Sequence, residues 1–169
     1  MRVLITGASG SGTTTLGKAL ATQWGAEFFD ADDYLWLPTE PPYLKQRPLV
    51  ERADLLSKPL GDHASGVVCG AIMGWGAQLE DNFDLIVFLY AGTKVRLLRL
   101  AQSELQRFGK VNPDFLAWAA QYDSGPPEGR SLVKHNAWLA LRTSPVLRLS
   151  GELPVAQLLH RIGNRCPGK

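Results

Sequence analysis

Val3-Leu4-Ile5-Thr6-Gly7-Ala8-Ser9-Gly10-Ser11-Gly12-Thr13-Thr14 decides the reading of this chain. Its opening residues form a short apolar run of strand character, Val3 to Thr6. From Thr13 onward Leu16, Ala19, Leu20 and Trp24 follow helical spacing until Gly25 supplies a stop. A glycine-rich turn therefore joins a predicted strand to a predicted helix. Glycines at 7, 10 and 12 let the backbone curl until successive N–H groups point inward, and the helix N-terminus adds roughly half a positive charge. Such a turn cradles phosphate. Thr14 occupies the magnesium-ligand position of the pattern G-x-x-x-x-G-K-[ST], whereas Thr13 stands where the lysine belongs. Gly7, Ser9, Gly10, Ser11, Gly12, Thr13, Thr14 and Thr15 are the expected phosphate contacts, with Thr14 also the metal ligand.

Working outward, four more apolar runs read as strands: Glu27 to Asp30, Gly66 to Gly70, Asp84 to Tyr90 and Pro145 to Leu149. Most are continuous rather than alternating, as strands buried on both faces should be, and amphipathic stretches separate them. Asn112 and Pro113 read as a helix cap and first position before the stripe Phe115, Trp118, Ala119, Tyr122, which is ordinary core by its spacing. Pro154 opens a last helix through Leu158, Leu159 and Ile162, while Leu37 to Pro48 and Ser124 to Arg130 read as long loops of functional length.

Composition limits the function classes. The 169 residues are 45% hydrophobic and 20% charged, the profile of one globular domain spanning 1–169. Eighteen basic residues nearly cancel 16 acidic ones and are dispersed, which argues against a nucleic-acid partner. No apolar stretch approaches the ~18 residues of a membrane span. Cys69 and Cys166 lack metal-ligand spacing, and the strand-like start shows no signal peptide, so a cytoplasmic protein, monomer or homodimer, is expected.

Acidic residues cluster where ligands of open parallel sheets bind, at the carboxyl end of the second strand: Asp30, Asp32 and Asp33. Phosphoryl transfer needs such a carboxylate to orient or deprotonate an acceptor hydroxyl, and cations around the migrating group. Asp32 is the expected catalytic carboxylate, with Asp30 and Asp33 as substrate contacts. Arg96, Arg99 and Arg107 share an arc of roughly 80° on one predicted helix, and Arg130 lies in the loop beyond. Arg99 and Arg130 are the expected catalytic cations, substituting for the lysine that Thr13 replaces. Arg47, Arg52 and Trp75 are expected to contact the acceptor.

Asp84-Leu-Ile-Val-Phe-Leu-Tyr90 with Val95-Arg-Leu-Leu-Arg-Leu100, and Val146-Leu-Arg-Leu-Ser-Gly-Glu-Leu-Pro-Val155, stand in order and spacing after the glycine turn. Together they resemble the P-loop small-molecule kinases, particularly the adenylate kinase and nucleoside monophosphate kinase group, with shikimate kinase as a relative. The segment Asp30-Ala31-Asp32 resembles the Asp-x-Asp of shikimate kinase. The resemblance implies an α/β P-loop NTPase fold, a five-stranded parallel sheet of order 2-3-1-4-5 sandwiched by helices with a helical lid. It further implies ATP (GTP possible) and Mg2+, a small-molecule acceptor held by residues 34–62, a lid at 100–131 and the base beside Gly151. Two departures separate the chain from adenylate kinases: Thr13, and Gly70-Ala-Ile-Met-Gly-Trp-Gly76 where that group has Gly-Phe-Pro-Arg. Two other functions fit parts of the pattern. One is a nucleotide-binding regulatory protein without turnover. The other is a short-chain dehydrogenase-like NAD(P) protein, suggested by Leu4 to Gly10 with Asp30 and by Tyr90 with Lys94.

Overall fold

The computed structural model describes residues 1–125 and 129–165; Cys166 and the middle of the Ser124–Arg130 loop lie outside them. The chain builds β1 (Arg2–Gly7), α1 (Thr13–Trp24), β2 (Glu27–Asp30), α2 (Ala31–Leu35), α3 (Leu49–Asp62), β3 (Gly66–Cys69) and α4 (Ala77–Glu80). It continues through β4 (Leu85–Tyr90), α5 (Thr93–Phe108), α6 (Pro113–Ala120), α7 (Leu132–Ala140), β5 (Val146–Ser150) and α8 (Val155–Gly163). All five strands run parallel in the order β2-β3-β1-β4-β5, the order expected, and the strand limits fall within one residue of those read from sequence. That order removes the dehydrogenase alternative: β3, not β2, lies beside β1, whereas dinucleotide-binding sheets place β2 there.

The continuous apolar runs have a simple cause. Val3 and Ile5 of β1, with Leu85, Val87 and Leu89 of β4, face a core shared with Leu16 and Leu20 of α1 and Leu158 and Ile162 of α8. Leu4, Ile86 and Phe88 point the opposite way, into a second core with Leu56 and Leu60 of α3, Trp75, and Trp138 and Leu139 of α7. Successive side chains alternate between faces, and both faces are covered, so every position is apolar. From β1 the chain leaves toward the β2 edge, and from β4 toward the β5 edge. The carboxyl ends of these adjacent strands therefore open the crevice in which ligands of such sheets bind. Among the described residues no helix is long and apolar enough to cross a membrane.

Asp84 is confined to the opposite edge, where its Oδ2 accepts from the Arg2 N–H at 2.7 Å, the structural role its position suggests. One buried charge network holds the second core. Glu80 Oε2 accepts from Trp138 Nε1 at 2.6 Å and lies 2.9 Å from Arg142 Nη1, and the side chains of Glu80 and Arg142 are both buried. Removing one member of such a set strands the others in low dielectric. Glu80→Ala is expected to lower unfolding free energy by about 3 kcal/mol, read from urea denaturation midpoints.

Candidate active site

The glycine turn after β1 is held open from its carbonyl side. Gly10 and Gly12 have φ of 81° and 98°, a region open to glycine at no cost. A Cβ on Gly10 would lie 2.6 Å from the Arg96 carbonyl oxygen, so α5 backbone packs directly under the turn. A Cβ on Gly151 would lie 2.3 Å from the Ser11 carbonyl oxygen, which brings the loop after β5 against the same turn. Ser11 Oγ is buried close beside Gly7, without a hydrogen-bond partner among the described residues. The turn ends at the N-terminus of α1, capped by no side chain. The expected contacts from Gly7 to Thr15 thus lie together, although Gly7 packs against the Leu89 carbonyl, and Thr14 and Thr15 are exposed.

α5 does carry Arg96, Arg99 and Arg107, but each meets different surroundings. Arg96 is fully buried: its Nε donates to the Ala91 carbonyl at 3.1 Å, Nη1 to those of Ala119 (3.1 Å) and Ser9 (3.4 Å), and Nη2 to Thr93 Oγ1 at 3.1 Å. Arg99 corrects an expectation. Its Nη1 donates to the Gly151 carbonyl at 2.9 Å and reaches those of Gly10 and Ser11 at 3.4 and 3.5 Å, so it braces the turn from outside rather than descending from a lid. Arg107 crosses the cleft, donating to the Tyr43 hydroxyl with its guanidinium over that ring.

Opposite the turn, Asp30 caps α2, accepting from the Asp32 N–H at 3.1 Å, and Thr14 Oγ1 donates to Asp30 Oδ2 at 3.4 Å. The short helix that results sets Asp32 and Asp33 at the lip of the cleft. Burial raises the Asp32 pKa; Arg130, Arg107 and the Trp36 indole oppose that rise, and Asp33 adds to it. The Asp32 side chain keeps solvent contact at the lip of the cleft. Burial also raises Asp30, and Asp32 and Asp33 reinforce it. Arg130 borders a narrow cavity with Ala8, Ser9, Arg96, Trp118, Ala119 and Tyr122, and burial draws its pKa down while Asp32 holds it up.

The segment after α2 folds back as a strap. Trp36 bridges Gln46, the Leu37 N–H donates to the Lys45 carbonyl at 2.9 Å, and Trp36 and Tyr43 meet edge to face at 5.8 Å. Tyr43 holds φ at 67°, unusual for a bulky residue and typical of segments held by surrounding contacts near functional sites. Arg52 lies 5.4 Å over the Trp75 ring, uniting two expected acceptor contacts, whereas Arg47, just before α3, pairs with Glu51 in the first turn of that helix at 3.2 Å.

Two participants escaped the sequence reading. Tyr122, taken for core, donates or accepts a 2.8 Å hydrogen bond with His135 Nδ1, and His135 Nε2 meets Thr6 Oγ1 at 3.0 Å. The available signal was Ser131, an N-cap residue four positions before a histidine. Burial pushes Tyr122 up to about 12 and pushes His135 down to about 4, the latter aided by Arg130 and Arg148.

The parallel sheet of order β2-β3-β1-β4-β5 sandwiched by helices is the P-loop NTPase fold. No family model matches the chain. It is 37% identical over 168 residues to the "uncharacterized protein YqaC" of Bacillus subtilis strain 168, covering 94% of this chain and 93% of that one, and it belongs to the YqaC family. A cytidylate kinase of Archaeoglobus fulgidus is 30% identical over 115 residues, 62% of each chain. Among solved structures, the shikimate kinase of Acinetobacter baumannii in complex with shikimate superposes with a TM-score of 0.61 at 15% identity, covering 98% of this chain and 92% of that one.

The buried histidine makes stability depend on pH in a defined sense. Its folded pKa, about 4, lies below the ordinary 6.5, so the unfolded chain binds the extra proton between those values. The contribution is complete above pH 6.5 and is lost as pH falls toward 4. Relative to His135→Gln, the wild type is expected to lose about 3 kcal/mol between pH 7 and pH 4, measured by urea denaturation at each pH.

Proposed function

We propose that this protein is an ATP-dependent phosphotransferase, adenylate kinase-like in how it holds the nucleotide and acting on a small anionic molecule that carries a hydroxyl. The observation that carries the reading is the juxtaposition across one cleft of a braced phosphate turn, the Asp32 carboxylate and the Arg130 guanidinium. The kinase names of its cytidylate and shikimate relatives agree with this reading.

ATP phosphates would lie on Gly10 to Thr14 and the base beside Gly151, where Arg99 braces the junction. GTP would fit the same cradle. Thr14 Oγ and Asp30 form an oxygen donor pair suited to Mg2+, which keeps most of its ligands as water and phosphate. Bound there, the ion would neutralise charge on the phosphates. Asp32 would accept the proton of the acceptor hydroxyl, and its upward shift brings it nearer to neutral pH, as a general base requires. Arg130 would face the transferring phosphoryl group and supply the charge that Thr13 cannot.

Arg52 points to the anionic character of the acceptor. Its guanidinium lies on Trp75, its Nε is buried without a partner, and among the described residues its one hydrogen bond is to Gln46 Oε1 at 3.4 Å. Burial lowers its pKa with no carboxylate among the described residues to offset the loss, which suits it to bind an anionic group.

Phosphorus NMR of the protein with ATP, Mg2+ and a panel of hydroxy acids, sugar acids, nucleosides and nucleoside monophosphates tests the reading. A new phosphate-ester resonance with an anionic acceptor is expected, and no nucleotide binding would overturn the proposal. Asp32→Asn should reduce turnover with little change in ATP affinity. Arg130→Ala should reduce it on the order of a hundredfold. Thr13 favours one second reading, a nucleotide-dependent regulatory protein, which predicts Mg·ATP binding without any ester. Thr13→Lys would then tighten binding but still give no product.

A further inference from the structure

Resting on the phosphotransferase reading, we infer that His135 and Tyr122 are positioning residues that hold Arg130 at a set distance from the phosphate turn through the buried chain Thr6–His135–Tyr122. Thr6 immediately precedes Gly7, so its Oγ1 is a fixed point at the root of the turn. His135 bonds that hydroxyl through Nε2 and the Tyr122 hydroxyl through Nδ1, at 3.0 and 2.8 Å. In either tautomer a neutral imidazole donates to one neighbour and accepts from the other, so both bonds are satisfied at once.

The route from this chain to Arg130 is short. The Leu132 N–H donates to the Tyr122 carbonyl at 2.9 Å, tying the segment that holds Arg130 to the residue His135 grips. Ser131 caps α7: its Oγ accepts from the Lys134 N–H at 3.2 Å and its carbonyl from the His135 N–H at 2.9 Å. Helical side chains lean toward the N-terminus, so His135, one turn inside the cap, comes back beneath Arg130. Tyr122 and Arg130 then form one wall of the cavity whose other wall is Ala8 and Ser9. The Tyr122 ring also lies 5.1 Å from the Arg96 guanidinium, which bonds the Ser9 carbonyl. Two independent connections thus join the turn to the Arg130 wall, one through β1 and one through α5.

Burial alone would favour an aliphatic residue at 135. His135 has no solvent exposure, and Phe88 and Trp138 surround its ring at 5.1 and 6.1 Å. Arg130 and Arg148 both disfavour its charged form. A neutral two-ended linker is what such a place accepts, and an aliphatic side chain would leave the Tyr122 and Thr6 hydroxyls without their shared partner.

The test avoids the identity of the acceptor. Mg·ADP with fluoroaluminate imitates the migrating phosphoryl group, and the ratio of its affinity to that of Mg·ADP alone isolates the grip on that group. Calorimetry would measure the ratio in wild type, Tyr122→Phe, His135→Ala, His135→Gln, Arg130→Ala and the double variant Tyr122→Phe with Arg130→Ala. Expected are about a tenfold smaller ratio for Tyr122→Phe and His135→Ala, near-constant Mg·ADP affinity, and partial recovery in His135→Gln. In the Arg130→Ala background Tyr122→Phe should change the ratio no further. An unchanged ratio, additive losses, or no fluoroaluminate gain in wild type overturns the inference while nucleotide binding stands. A wild type that binds no Mg·ADP overturns the phosphotransferase reading and this inference with it. Tyr122→Phe removes one oxygen from a ring that stays packed, so the test survives if His135→Ala does not fold.

Discussion

The carbonyl face of the glycine turn imposes the main constraint on this molecule. A turn that gathers its N–H groups inward must send carbonyl oxygens outward, and here outward is protein rather than water. Each buried acceptor left unpaired would cost about 1–3 kcal/mol. Arg96 and Arg99 meet that demand with donors to Ser9, Gly10, Ser11 and Gly151, and the fixed fork of a guanidinium suits several carbonyls at once. Side chains at 10 and 151 would forbid the approach of α5 and of the loop after β5, so glycine at both positions belongs to the same device.

That arrangement redistributes charge. Two arginines close to the turn are committed to its outer side, where their partners are backbone oxygens. With threonine at 13, the inner side is left with N–H dipoles and the α1 N-terminus. Positive charge must come from beyond the turn, where Arg107 and Arg130 both act on Asp32. In the proposed reaction, charge neutralisation then depends on Arg130 being held in place beside Ala8 and Ser9.

The sheet was legible because burial on both faces leaves continuous apolar runs, and the turn because glycine at 10 and 12 is demanded by backbone geometry. The arc shared by Arg96, Arg99 and Arg107 was legible too, since helical spacing alone sets it. What the arc faces was not: Arg99 differs from a solvated arginine through carbonyls 88 and 89 positions away and across to Gly151, and Arg96 through those of Ser9, Ala91 and Ala119. The Thr6–His135 bond spans 129 positions, and no local pattern carries such a pairing. Asp30 illustrates the intermediate case. Read as a substrate contact, it also caps a five-residue helix that the sequence did not suggest, and the cap is what presents Asp32.

The Thr6–His135 bond reaches the first turn of α7, directly behind Arg130. Arg130 itself stands in no helix or strand, directly before the Ser131 cap of α7, so regular backbone structure does little to place its guanidinium. Placement must be borrowed from rigid elements, and the stiffest nearby is β1, hydrogen-bonded to strands on both sides. A salt bridge to β1 would place a charge beside Arg130 and Arg148 in a buried space, with a desolvation cost of several kcal/mol on the order of that for any buried ion. A neutral imidazole between two hydroxyls transmits position without adding charge, and its low pKa keeps it neutral through the physiological range.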